Sequence, residues 1–396
     1  MPRIFMLVIL LPVLALAACA GGEKSPPPPA FPLVRVAASH WPVPRDDLDP
    51  AGLRNALEQS RVYLRKQLPA KVFQFGADEY DAAHLIASLD AFEDLFQRLG
   101  PGPALTEGLK KDFILYQAVG HDGRGRVVCT GYYEPLLLGA SAPDDRFRWP
   151  VYGVPDDLIS VDLGDFSPEL SGRKIQGRLE GRKLKPYHGR AEIDRDGVLK
   201  NRGLELAWVD DPASLFFLHI QGSGRIELPD GRVLQVGFAG SNGRAYRSVG
   251  KRLLDDKVLT GDRMSMQAIR DWMRQNPDQA REVMFWNERY IFFRIMSGPP
   301  VGNINVPLTP GRSVALDDVL FPRGALAWLE TTVPTPRNDK TGRTRPLARF
   351  VLVQDAGQAI KGPGRLDLFF GPGLEAEWQA GRMKEPGTLY FLVKKK

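Results

Sequence analysis

Two aspartates twelve positions apart, Asp355 and Asp367, stand in the glycine-rich, apolar run VQDAGQAIKGPGRLDLFFGPG, residues 353–373. Desolvating an unpaired carboxylate is costly, so a charge beside Leu366, Leu368, Phe369 and Phe370 is solvated, paired or functional. A carboxyl partly buried in an apolar wall suits acid–base chemistry, because burial lifts its pKa from about 4 toward neutrality. In Arg365-Leu-Asp-Leu-Phe-Phe370, strand alternation places Asp367 on the face of Arg365 and Phe369, opposite Leu366 and Leu368. Arg365 would lower that pKa if it reached the carboxylate. Asp355 closes the apolar run RFVLVQD just before Ala-Gly and has two readings. It either bonds the backbone amides of the following turn, fixing the loop that positions Lys361 and Asp367, or it acts as a second carboxylate.

Other chemistries lack their residues. The five histidines, His40, His84, His121, His188 and His219, show no metal-ligand spacing and no cysteine cluster exists, so neither metal nor cofactor is expected. No phosphate loop or dinucleotide fingerprint occurs. The run Gln221-Gly-Ser223-Gly lacks the strand-to-helix elbow of serine hydrolases. Like Gly240-Ser-Asn-Gly243, it reads as a turn whose missing side chains let backbone amides approach a ligand, or as a turn needing positive φ.

Hydrophobic periodicity supplies the elements that must hold these residues. It predicts helices over 51–68, 81–99 and 105–118, the last leading into a strand, RVVCTGYYEPLLLG, that turns at Glu134-Pro135. The stretch 214–238 reads as a hairpin turning at Pro229-Asp230-Gly231. Helices follow over 243–255 and 264–275, and beyond 300 the pattern is strand with almost no helix.

The chain opens on one arginine and an apolar run of export-signal length, too short for a membrane span, ending in Leu16-Ala-Ala-Cys19. This tetrad resembles the bacterial lipobox, which implies a lipoprotein signal peptide at 1–18 and a lipid on Cys19; the alternative is an ordinary secretory peptide. Ala20 after that cysteine favours an outer-membrane lipoprotein facing the periplasm, by the same resemblance. Residues 19–32, with four prolines at 26–29, read as a tether that at ~3.1 Å per residue reaches about 40 Å. Beyond Cys19 only Cys129 remains, so an intramolecular disulfide is excluded. With 43% hydrophobic content in 396 residues, two domains are expected. The net charge of +6 concentrates over 171–203. With Tyr187 as its one aromatic, that stripe suits an acidic cell-wall polymer or a solvated loop face rather than nucleic acid.

Four blocks in order resemble the membrane-bound lytic transglycosylase A (MltA) family: Thr130-Gly-Tyr-Tyr-Glu-Pro135, Phe216-Phe-Leu-His-Ile-Gln-Gly-Ser-Gly224, Gly240-Ser-Asn-Gly-Arg-Ala-Tyr-Arg-Ser-Val-Gly250 with Ser265-Met-Gln-Ala-Ile269, and Asp355-Ala-Gly-Gln-Ala-Ile-Lys-Gly362 leading to Asp367. The likeness runs from about 125 to the end, with 33–120 assigned by continuity. It implies a mainly β (α+β) fold. A double-psi β-barrel domain would be built from 33–135, with its N-terminal helices, and 296–396. An inserted β-rich substrate-binding domain would span 136–295, with a groove between the two for a glycan strand.

The resemblance also implies that Asp367 is the catalytic acid of a peptidoglycan lytic exotransglycosylase, a murein-degrading lyase. Such an enzyme cuts the MurNAc-β-1,4-GlcNAc bond and leaves 1,6-anhydroMurNAc; the residues themselves leave exo- versus endo-action open. Asp355 is the candidate supporting acid. Thr130, Tyr132, Tyr133, Gln221, Ser223 and Lys361 are candidate substrate contacts, although the tyrosines read equally as core. The expected partners are peptidoglycan glycan strands and the outer membrane through the lipid anchor, with no nucleic acid; protein partners in wall synthesis or hydrolysis stay open. In the family pattern the interval between the two aspartates is one residue shorter, Pro363-Gly364 taking up the extra residue. Two rivals remain, an inverting β-1,4-glycan hydrolase with Asp355 as base, and a non-catalytic peptidoglycan-binding lipoprotein.

Overall fold

The computed structural model describes residues 30–260, 265–339 and 341–396. The expected signal peptide, Cys19 and all but the last residues of the expected tether lie outside the described residues. No helix among the described residues is long and apolar enough to cross a membrane.

The fold is a sheet-rich α+β structure. One sheet has eight strands in the order Leu33–Arg35, Phe113–Ala118, Lys384–Lys394, Leu326–Pro334, Thr344–Asp355, Ser313–Ala315, Arg365–Pro372 and Val127–Glu134. Val127–Glu134 also pairs back onto Lys384–Lys394, with Thr130 opposite Lys384, so the last six of these strands close into a ring. A second sheet of six strands runs Ile291–Met296, Val233–Ser241, Ser223–Glu227, Leu136–Ala140, Glu205–Val209 and Trp149–Tyr152. Sheet membership changes at Pro135 and again between Met296 and Ser313. At the first change Glu134 is buried and accepts from Arg225 Nε at 2.9 Å and Gln235 Nε2 at 2.8 Å, so a charge that would be costly alone instead fixes the crossing.

Two N-terminal helices brace the ring. Pro50–Arg65 is capped by Asp49, which accepts from Ala51 N, and Ala82–Leu99 by Asp81, which accepts from His84 N. Their apolar stripes, including Leu53, Leu57, Leu89 and Phe92, join the strands in one core. Each such side chain contributes roughly 1.5–3 kcal/mol when fully buried. Two polar ties lock this brace to the strands that matter for chemistry. Arg312, fully buried just before Ser313–Ala315, forks onto Asp46 at 2.6 and 2.8 Å. Gln354, buried just before Asp355, donates to Ala56 O at 2.7 Å and Ser60 Oγ at 3.0 Å, and accepts from Ser313 Oγ at 2.6 Å.

Several elements differ from the sequence expectation. The helix expected over 105–118 is Pro103–Asp112, and Phe113–Ala118 is a strand held between Leu33–Arg35 and Lys384–Lys394. The first arm of the expected 214–238 hairpin is the helix Pro212–Gln221, and only Ser223–Glu227 and Val233–Ser241 form the hairpin. That helix carries its own local signals: Asp211 accepts from Ala213 N, Pro212 opens the first turn, and Gly222 ends it in the left-handed region at φ +77°. The 243–255 helix begins only at Val249. Helices Pro277–Trp286 and, beyond 300, Leu374–Ala380 were not anticipated.

Candidate active site

Ser313–Ala315, the short central strand of the ring, is the pivot of the site. Ala315 is paired with Asp355 on one neighbour and with Asp367 on the other. Adjacent strands lie ~4.8 Å apart, so the two aspartate backbones are separated by about 10 Å. On the far side of the Asp367 strand, parallel pairing sets Thr130 opposite Asp367 and Tyr132 opposite Phe369. Gly131, between them, is required by close approach: a Cβ there would sit 2.5 Å from the Phe370 ring and 2.9 Å from Ala380 Cα.

Leu366 and Leu368 are fully buried in the core, while Asp367 on the other face is half-buried. Thr130 Oγ1 donates to Asp367 Oδ1 at 2.8 Å, and Arg365 Nη2 donates to Thr130 Oγ1 at 3.3 Å. The guanidinium therefore hydrogen-bonds the hydroxyl, and its charge acts on the carboxylate from one residue behind. Burial pushes the Asp367 carboxyl up to about 7; the Thr130 bond and the Arg365 charge oppose the rise, and the Asp355 charge adds to it. A carboxyl balanced near neutrality can both give and take a proton.

Asp355 is differently placed. Its Oδ1 accepts the backbone amides of Ala356 at 2.9 Å and Asn303 at 3.0 Å, and its Oδ2 accepts the Tyr132 hydroxyl at 2.9 Å. Burial still raises it to about 6 against those bonds. The Tyr132 ring stands 5.1 Å from that of Phe369, and burial holds its hydroxyl well above the ordinary phenol range, so it serves Asp355 as a donor.

The remaining candidates divide. Tyr133 is buried; its amide donates to Gln221 Oε1 at 3.0 Å and its hydroxyl accepts from Arg270 Nη2 at 2.8 Å. These bonds engage the Tyr133 amide and hydroxyl and one atom of Gln221, which is half-buried and whose Nε2 makes no hydrogen bond among the described residues. Lys361 lies 3.5 Å from Asp317 and 3.7 Å from Asp318, on a loop also held by Gly362 N donating to Asp317 Oδ2 at 2.8 Å. Ser223 opens its strand opposite Gly237, half-buried. In the second glycine turn, Asn242 is buried and donates to His188 O and Glu288 O, both at 2.8 Å, so its side chain clamps the fold.

Sequence reasoning missed Arg270 and Asn303. Arg270 pairs with Glu377, bonds Tyr133 and lies 5.1 Å over the Phe217 ring, while Gln267 Nε2 donates to Glu377 O at 2.9 Å and Met266 N to Gly381 O at 3.1 Å. The helix Met266–Gln275 thus clips the helix Pro212–Gln221 to the Leu374–Ala380 helix and to the ring strand carrying Tyr133. The available signal was an arginine at position 270 on the stripe of Met266 and Met273, where helical spacing calls for an apolar residue. Asn303 acts through its amide, which no residue type betrays. Among the described residues no three His, Cys, Asp or Glu side chains group as metal ligands would.

Comparison with known proteins gives this site a family. The MltA specific insert domain model matches residues 128–294, and the 3D domain model matches 312–393. Membrane-bound lytic murein transglycosylase A of Vibrio cholerae is 32% identical over 279 residues, covering 70% of this chain and 68% of that protein. The Escherichia coli K12 protein of the same name is 33% identical over 280 residues with the same shares. The crystal structure of membrane-bound lytic murein transglycosylase from Agrobacterium tumefaciens is 30% identical with a TM-score of 0.75, covering 92% of this chain and 98% of that one. E. coli MltA with bound chitohexaose is 26% identical with a TM-score of 0.68, covering 95% and 98%. By sequence and by fold, the chain belongs to the membrane-bound lytic murein transglycosylase A family.

Proposed function

We propose that the chain is a peptidoglycan lytic transglycosylase that cuts the β-1,4 bond between MurNAc and GlcNAc with Asp367 as its one acid–base group. The observation that carries this reading is the Asp367 carboxyl itself, half-buried, raised to about 7 and bonded through Oδ1 to Thr130. Protonated Asp367 gives its proton to the glycosidic oxygen as the C1–O bond breaks, releasing the GlcNAc hydroxyl. The carboxylate left behind is stabilised by the Thr130 hydroxyl and the charge of Arg365. It then takes the proton of the muramyl C6 hydroxyl as that oxygen bonds to C1, closing a 1,6-anhydro ring and restoring the acid. The nucleophile belongs to the substrate, so attack gains from proximity and no protein base is needed to activate water.

The three donors on Asp355 favour a positioning role for it. The opposing reading, an inverting hydrolase, has one observation in its favour: two carboxyls on strands about 10 Å apart leave room for a water, as in enzymes that separate them by ~6.5–9.5 Å. Thr130, Tyr132, Tyr133, Gln221, Ser223 and Lys361 are the proposed glycan contacts, and the chitohexaose held by the E. coli relative favours a β-1,4-glycan ligand. The changes of sheet at Pro135 and after Met296 favour division into 33–135 with 296–396 and an inserted 136–295. Cys19 is the proposed lipid site and the outer membrane the proposed location, in keeping with the membrane-bound relatives. Mass analysis of the products released from sacculi in ¹⁸O-labelled water tests the chemistry. Anhydro ends without label are expected, whereas reducing, labelled muramic acid would establish the hydrolase and return Asp355 to the role of base.

A further inference from the structure

A cavity of about 790 Å³ opens in the part of the chain between Pro135 and Met296, and none of Asp355, Asp367, Thr130 or Tyr132 lines it. Its size falls within the ~300–1,000 Å³ of small-ligand sites. The edge strand Trp149–Tyr152, its neighbour Glu205–Val209, the segment following Arg190–Asp194 and the helix Pro277–Trp286 form its walls. Trp208 lines it, half-buried, on the face of Pro150, whereas Trp149, paired with Val209, packs on the other face against the core of the six-stranded sheet. The floor is rigid. Buried Arg190 bonds Asn287 O at 3.1 Å, Arg289 O at 2.7 Å and His219 Nδ1 at 3.0 Å, and its guanidinium lies over the rings of Phe216 and Tyr290.

Five arginines and lysines against three acids line the cavity. Arg190 is spent on the floor and on Asp194, and Arg195 on Asp196. Arg148 and Lys200 are exposed, and neither makes an ion pair or side-chain hydrogen bond among the described residues. Two open cations beside one part-exposed indole, Trp208, complement a ring with an apolar face and a carboxylate attached to it.

We infer that this cavity is a non-catalytic binding site for an anionic saccharide, a muramyl unit whose attached peptide ends in a carboxylate. Trp208 stacks on the pyranose, and Arg148 and Lys200 take the carboxylate. The inference rests on the peptidoglycan reading of the active site and adds a second point of attachment. A chain engaged there keeps a high effective concentration of glycan near Asp367.

Calorimetric titration of muramyl dipeptide into the chain carrying Asp367→Asn tests it, with chitobiose and free L-alanyl-D-isoglutamine as comparisons. One muramyl dipeptide is expected to bind, each comparison compound at least about tenfold more weakly, and the pair Arg148→Glu with Lys200→Glu to weaken binding by about tenfold. Trp208→Ala should do the same; the charge reversals, at exposed positions, separate lost binding from lost folding. Undetectable binding, or binding unchanged by the reversals, would overturn the site. Equal binding of the free dipeptide would overturn its saccharide specificity, and equal binding of chitobiose its preference for an anion. Failure of the unaltered chain to cut sacculi is a separate readout and would count against the active-site reading instead.

Discussion

Replacing Asp367 by asparagine keeps the shape of the side chain and deletes the proton it transfers. Turnover should fall by at least the ~10²–10⁴-fold that general acid–base groups supply. The same change should stabilise the protein above neutral pH. The carboxyl titrates at about 7 in the folded chain against 3.8 for an ordinary aspartate. Below pH ~4 it is protonated in both folded and unfolded chains and costs nothing. Between those values the unfolded chain ionises first, so stability declines by ~1.4 kcal/mol per pH unit as pH rises, and it levels off above about 7. The accumulated penalty is about 4 kcal/mol. Asparagine carries none of it, and its amide oxygen can accept the Thr130 hydroxyl where Oδ1 now does. Denaturant titrations of both proteins from pH 4 to 8 should show a gap that is small at pH 4 and widens to about 4 kcal/mol at pH 8. A gap that does not change with pH, or an asparagine variant less stable at pH 8, would refute the claim that burial sets this carboxyl.

Thr130→Val removes the donor that favours the Asp367 carboxylate, so the fall in kcat/KM above pH 7 should move to higher pH while the maximal kcat drops; an unmoved alkaline limb would contradict the proposed pairing. Tyr132→Phe deprives Asp355 of one of three donors and should cost ~1.5–3 kcal/mol at pH 8, the range for a hydrogen bond to a charged group. That loss should shrink below pH 6, where Asp355 takes up a proton, and thermal melts at the two pH values read it. Arg270→Ala strands Glu377 and the Tyr133 hydroxyl, and should lower stability by ~2–4 kcal/mol and raise KM more than it lowers kcat. An unchanged KM would mean that this clip does not shape the proposed glycan site.

The helices Pro50–Arg65 and Ala82–Leu99 were legible because periodicity and capping are local. Pro212–Gln221 was not, because it lies between two cores: Leu215 and Leu218 enter one and Phe216 and Phe217 the other, so no polar stripe marks its period. Phe113–Ala118 becomes a strand through Lys384–Lys394, a partner more than two thirds of the chain length away. The tyrosine pair shows the same limit at the site. Adjacent in sequence, Tyr132 turns its hydroxyl to Asp355 and Tyr133 turns its own to Arg270, on opposite sides of one strand.

By itself the sequence determined on which strand face the Asp367 carboxyl lies, and the choice of it over Asp355 as the acid came from the family resemblance. Residue type and a period of two are local properties, and they put Asp367 across the strand from Leu366 and Leu368 without reference to anything distant. Tertiary structure alone decided what that carboxyl can do. Its pKa depends on water excluded by the packed ring and on a hydroxyl 237 positions away, delivered by parallel register between Val127–Glu134 and Arg365–Pro372. The placement of Asp355 on the other side of Ala315 has the same origin, since pairing between strands, unlike alternation within one, joins residues that no local pattern connects.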